Sequence, residues 1–91
     1  MKKKIAILGS TGSIGKTTYN IIKKNKKDFE VVLLTTNKNV NLIIEQAKIL
    51  KVKNIIISSK QHYLKAINSK NKNIKIYNNL NNLNKIIKKK L

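Results

Sequence analysis

The chain's three glycines, Gly9, Gly12 and Gly15, fall at every third position directly behind the apolar run Ile5-Ala6-Ile7-Leu8. A short apolar run cut off by a glycine turn reads as a buried strand passing into a helix, here one that begins near Ser13. Glycine tolerates positive φ and has no Cβ, so backbone N–H groups can approach a ligand closely. A helix that starts at such a turn also directs the positive end of its dipole at an anion. The junction therefore demands strand, tight turn and helix in succession, and it reads as a cradle for a nucleotide phosphate. A glycine turn without a ligand would explain the same succession, but not the gathering of every glycine into seven residues. The spacing is GxxGxxG, with Ser10 in the place of the first glycine of GxGxxG. Gly15-Lys16-Thr17 matches the end of GxxxxGK[ST], but that pattern also requires glycine at position 10.

Apolar patterning alternates between strand and helix along the rest of the chain. Lys4 to Leu8 is the first strand, and Ile14, Thr18, Ile21 and Ile22 mark one face of the first helix. Phe29 to Thr35 is the second strand; Val31-Val32-Leu33-Leu34 is apolar on both faces, as in a buried parallel sheet. After Thr36-Asn37-Lys38-Asn39 comes a helix carrying Val40, Ile43, Ile44, Ala47 and Leu50. Asn54 to Ser58 is a third strand, Ser58 or Ser59 caps a helix through Tyr63, Leu64 and Ile67, and Ile74 to Tyr77 is a fourth strand. Leu80, Leu83 and Ile87 line a last helix. This alternation predicts an α/β fold: a Rossmann-like parallel sheet with helices on both faces, incomplete at about four strands and four helices. Ligands of such sheets sit beyond the carboxyl ends of the strands. The loops after Leu8 and after Thr35 fall on that edge together.

Composition narrows the function classes. With no cysteine, the chain has neither disulfides nor thiolate metal sites. A net charge of +18 on 91 residues would ordinarily suggest nucleic acid. Yet all the basic residues are lysine, scattered over every segment, and the 4% of aromatic residues are not interleaved with them as stacking platforms. Lysine, asparagine and isoleucine make up more than half the chain, which A/T-rich codons suffice to explain. No specific nucleic-acid partner is expected, although a basic nucleic-acid-binding protein stays open as an alternative. Met1-Lys2-Lys3-Lys4 resembles the start of a signal peptide, but the apolar run behind it is too short. No stretch approaches a membrane span, so a cytoplasmic protein without membrane attachment is expected.

The second loop selects the cofactor. An NAD site places a carboxylate on the ribose about 20 residues beyond the glycines. Here that place holds Thr35, Thr36 and Asn37, followed by Lys38; the nearest acids are Glu30 and Glu45. A lysine among amide and hydroxyl donors suits a 2′-phosphate, so the site is expected to take NADP.

The string Lys4-Ile5-Ala6-Ile7-Leu8-Gly9-Ser10-Thr11-Gly12-Ser13-Ile14-Gly15, with Thr18, Phe29-Glu30-Val31-Val32, Lys38-Asn39-Val40 and Glu45-Gln46 at matching spacing, closely resembles the start of the 1-deoxy-D-xylulose 5-phosphate reductoisomerase family. The resemblance implies NADPH-dependent isomerisation and reduction of 1-deoxy-D-xylulose 5-phosphate to 2-C-methyl-D-erythritol 4-phosphate in isoprenoid biosynthesis. It implies that Thr11, Gly12, Ser13 and Ile14 contact the cofactor phosphates, and that Asn37, Lys38 and Asn39 hold the 2′-phosphate end. Asn37 replaces the family's usual glycine and is expected to stand in for it in a left-handed turn. Tyr19 and Asn20 replace the family's leucine and aspartate. Residues 1–91 correspond to the N-terminal part of the NADP-binding domain; the family's catalytic and C-terminal domains, with the acidic ligands of its Mg or Mn ion, lie outside them. No catalytic or metal-ligating residue is therefore expected in this chain, and His62 reads as a surface histidine. Weak cofactor binding without turnover is expected of these residues alone, a non-catalytic nucleotide-binding module being the alternative. In the family a further strand pairs on the far side of the first, so an exposed first strand and self-association, as in a homodimer, are expected.

Overall fold

The computed structural model describes residues 2–68, 73–79 and 81. Strands β1 (Lys3–Ile7), β2 (Phe29–Thr36), β3 (Asn54–Ile57) and β4 (Lys75–Tyr77) alternate with helices α1 (Ser13–Lys24), α2 (Val40–Leu50) and α3 (Lys60–Ile67). All pairings are parallel, in the order β1-β2-β3-β4. The expected strands are all present, with ends shifted by one residue: Leu8 and Ser58 have left the ladder for the loops. The predicted helix through Leu80, Leu83 and Ile87 lies outside the described residues.

Strand order that follows chain order, joined by right-handed crossovers, puts successive helices on one face of the sheet. Accordingly Ile22 of α1, Ile43 and Ala47 of α2 and Ala66 of α3 share one apolar cluster with Ile7, Val31, Leu34, Ile55 and Ile57. The opposite face gathers Val32, Leu33 and Ile56, with Ala6 and Tyr77 against them. The three described helices thus lie on one side of the sheet, where the expectation had helices on both faces. A β-bulge sits between the two clusters: Ile5 pairs with Val31 but Ala6 with Leu33, so Val32 is the extra residue. It turns both Val32 and Leu33 to the second face.

Two helical faces differ from the sequence pattern. In α1 the buried residues are Gly15, Tyr19 and Ile22, whereas Ile14 and Ile21 are 84% and 55% exposed. The helix is rotated because Gly15, the one residue small enough to lie on the turn before it, must face inward. Burial raises the pKa of the Tyr19 phenol, and the nearby Glu45 carboxylate raises it further. In α3 only Ala66 is buried; Leu64 and Ile67 are exposed. His62, expected on the surface, is half-buried, with Nδ1 2.8 Å from the hydroxyl of the N-cap residue Ser59.

Lys51 closes α2 in the left-handed conformation, at φ 57°. A side chain there costs about 1–2 kcal/mol, partly offset by the extra unfolded-state entropy of a glycine. Lys51→Gly is expected to stabilise the chain by about 0.5–1 kcal/mol in chemical denaturation, with no effect on ligand binding.

Candidate functional site: a phosphate cradle on the sheet edge

The loop between β1 and α1 is held from three sides. Gly9 adopts φ +70°, which turns the chain sharply out of the strand. From α1, Gly15 lies so close that an added Cβ would stand 2.0 Å from the Gly9 carbonyl oxygen and 2.7 Å from Ser10 Cα. From β2, Thr35 accepts the Gly9 N–H on Oγ1 (2.8 Å) and the Ser10 N–H on its carbonyl (2.9 Å). The hydroxyls of Thr11 and Thr36 meet at 2.7 Å. From α2, the buried Gln46 donates from Nε2 to the Ser10 carbonyl at 2.9 Å. Thr35 and Thr36, which sequence alone set beside the ribose, instead spend their hydroxyls on the glycine loop.

What this clamping leaves unbonded defines the chemistry. Gly12 N–H donates to the Gly9 carbonyl and Lys16 N–H to the Gly12 carbonyl. Among the described residues, the backbone N–H groups of Thr11, Ser13 and Ile14 donate to no acceptor in the chain. Free donors at the N-terminus of a twelve-residue helix, with no acidic residue in its first turn, are chemically suited to an anion. Gly12 has its own significance: a Cβ there would meet only the Gly9 carbonyl oxygen, at an ordinary 3.5 Å. Neither backbone conformation nor packing demands glycine at this position. A crevice of about 610 Å³ continues from the loop past Ala6, Leu8, Ile14 and Thr18. The exposed Ile14 is a wall of that crevice rather than a core residue.

The second loop follows β2 on the same edge. Asn37, Lys38 and Asn39 are all exposed, and Asn39 is the N-cap of α2, whose first turn also lacks an acid. Asn37 does not adopt the left-handed turn expected of it: Lys51 is the one described non-glycine residue with positive φ. Its position comes from β3 instead. Ser58 Oγ donates to Asn37 Oδ1 at 2.9 Å, and Ser59 N–H donates to the Asn37 carbonyl at 3.0 Å. Oδ1 is thereby occupied, while Asn37 and its neighbour Lys38 are both exposed. Ser58 and Ser59, read from sequence only as helix caps, support this loop. The structure thus brings the two predicted groups, Thr11 to Ile14 and Asn37 to Asn39, onto one sheet edge, tied through Thr35 and Thr36.

Two such loops at the carboxyl ends of adjacent parallel strands are the arrangement of a dinucleotide-binding fold. The family model of 1-deoxy-D-xylulose 5-phosphate reductoisomerase matches residues 5–91. The chain is 47% identical over 85 residues to the 1-deoxy-D-xylulose 5-phosphate reductoisomerase of Pelagibacter ubique, covering 92% of this chain and 22% of that protein. To the Porphyromonas gingivalis enzyme of the same name it is 52% identical over 63 residues, 69% of this chain and 16% of the relative. In structure it is similar to 1-deoxy-D-xylulose 5-phosphate reductoisomerase from Zymomonas mobilis in complex with NADPH, with a TM-score of 0.84 and 25% identity over 94% of this chain and 23% of that one. The chain belongs to the 1-deoxy-D-xylulose 5-phosphate reductoisomerase family, and it spans about a fifth of the length of these relatives.

Proposed function

We propose that this chain is the NADPH-binding portion of a 1-deoxy-D-xylulose 5-phosphate reductoisomerase. The observation that carries the reading is the pairing, on one sheet edge, of the free N–H groups of Thr11, Ser13 and Ile14 with exposed Lys38 and no carboxylate at the end of β2. In this reading the pyrophosphate lies over the N-terminus of α1, receiving hydrogen bonds from Thr11, Ser13 and Ile14, with Gly12 leaving it room. Asn37 Nδ2, Lys38 and Asn39 surround the 2′-phosphate. An acid at the end of β2 would repel that phosphate; Lys38 attracts it. Bound NADPH supplies the hydride for reduction of the family's substrate, 1-deoxy-D-xylulose 5-phosphate, to 2-C-methyl-D-erythritol 4-phosphate, while these residues bind and orient the cofactor. A divalent cation, which the family resemblance also implies, finds no fitting residues here: among the described residues no three His, Cys, Asp or Glu side chains gather. None of the described helices is long and apolar enough to cross a membrane. The reading extends to a cytoplasmic protein and to a homodimer; among the described residues β1 is an edge strand of the sheet and Leu8 beside it is exposed.

Calorimetric titration of the chain at near-physiological salt tests the reading. NADPH is expected to bind at least about tenfold more tightly than NADH, the worth of one charge-assisted contact. Equal affinities, or no binding of either, would contradict it.

A further inference from the structure

Gln46 is 1% exposed in the middle of α2, flanked on the same face by Ile43 and Ala47, both completely buried. Burying a primary amide is costly unless its polar atoms are paired, and a core built for stability alone would carry methionine or leucine here. Only half of the amide is satisfied. Nε2 donates to the Ser10 carbonyl, whereas Oε1, like the equally buried Ser10 Oγ, has no partner in the protein. Packing gives no reason for this amide; the peptide it grips does.

The Ser10 carbonyl and the Thr11 N–H belong to one peptide unit. That unit is trans, so its C=O and N–H point in opposite directions. A carbonyl drawn into the core by Gln46 turns the Thr11 N–H away from the core, and that N–H has no acceptor in the chain. Hydrogen bonding to the carbonyl also polarises the peptide and strengthens its N–H as a donor. The other bonds to the loop do not do this. Thr35 fixes the peptides preceding Gly9 and Ser10, and Gly12 N–H is already committed to the Gly9 carbonyl. We infer that Gln46 is a positioning residue for pyrophosphate recognition: from α2 it sets the orientation of the Ser10–Thr11 peptide, so that the Thr11 N–H faces the bound anion.

This inference rests on the NADPH reading, and two ligands separate the failure of one from the failure of the other. Adenosine 2′-monophosphate carries the 2′-phosphate but no pyrophosphate, so it does not use the Thr11 N–H. In the chain with Gln46→Met, which keeps the volume and removes the donor, NADPH affinity is expected to fall about tenfold. Affinity for adenosine 2′-monophosphate is expected to stay within about twofold, the 2′-phosphate contacts being untouched. Equal losses for both ligands would mean that Gln46 acts only through overall stability, and no loss for either would mean that it does not position the loop; both overturn the inference. Should the substituted chain not fold, the unsubstituted chain carries the test by amide NMR. Saturating NADPH is expected to move the Thr11 resonance further than that of Gly12, whose N–H is already bonded; a Thr11 resonance that moves less overturns it. If NADPH does not bind the unsubstituted chain while adenosine 2′-monophosphate does, the pyrophosphate role of Gln46 is wrong. If neither binds, the NADPH reading and this inference fall together.

Discussion

Gly15→Ala is expected to abolish measurable NADPH binding and to lower the melting temperature by more than about 10 °C, corresponding to a loss of about 2–3 kcal/mol. The new methyl would stand 2.0 Å from the Gly9 carbonyl oxygen, 2.7 Å from Ser10 Cα and 2.8 Å from Gly9 C, all backbone atoms. No rotamer change relieves such a contact, so α1 and the loop must separate. Alanine's better helix propensity returns only about 1 kcal/mol. Separation pulls Gly9 and Ser10 away from Thr35 and from Gln46, so the free N–H groups lose their arrangement as the fold loosens. Gly12→Ala provides the contrast. Its methyl meets only an ordinary 3.5 Å contact, so the melting temperature should stay within a few degrees while NADPH affinity falls. Thermal denaturation followed by circular dichroism, with a binding titration of each variant, distinguishes the two. A Gly12→Ala chain that binds NADPH as well as the unsubstituted chain would mean that no ligand occupies the space above the loop.

Lys38→Glu is expected to weaken NADPH binding about 30- to 100-fold, the 2–3 kcal/mol typical of a hydrogen bond to a charged group that is replaced by repulsion. NADH, which lacks the 2′-phosphate, should bind the variant nearly as well as it binds the unsubstituted chain. The discrimination between the two cofactors then shrinks or reverses. Lys38 is exposed and belongs to neither apolar cluster, so stability should not change. This selectivity separates a 2′-phosphate site from general attraction to a chain of net charge +18, which would lose little on removal of one lysine. Raising the salt concentration weakens binding of both cofactors; only the specific site keeps the preference.

The strand and helix succession was legible because each strand is a short apolar run bounded by polar turns, and parallel strands buried on both faces leave little doubt about period. The site loops were legible for a related reason: glycine clustering and the absence of an acid at the end of β2 are properties of the chain itself. The rotation of α1 was not. Ile14 and Ile21 look like core residues until Gly15 is seen to need the inward position, which is a tertiary demand that propensity does not carry. The side-chain supports of the site were missed for a different reason. Thr35, Thr36 and Ser58 act across strands, through hydroxyls whose partners lie 21 to 26 residues away. Gln46 did leave a signal, a lone amide inside the apolar stripe of Ile43, Ala47 and Leu50. Asn37 shows the opposite error: its residue type suggested a left-handed turn, but its hydrogen bonds from Ser58 and Ser59 hold it without one.

The central claim, that one sheet edge holds NADPH by its pyrophosphate and its 2′-phosphate, is tested most directly by mapping NADPH onto the backbone amides of the chain by NMR at near-physiological salt. The expected result is a set of shifts concentrated at Thr11, Gly12, Ser13, Ile14, Asn37, Lys38 and Asn39, with the Asn37 to Asn39 shifts absent when NADH is used. Lys2, Lys26, Lys27 and Lys51, which surround a separate groove with Phe29 and Leu50, should not respond. Shifts spread over these lysines as strongly as over the two loops, or identical maps for NADPH and NADH, would contradict the account.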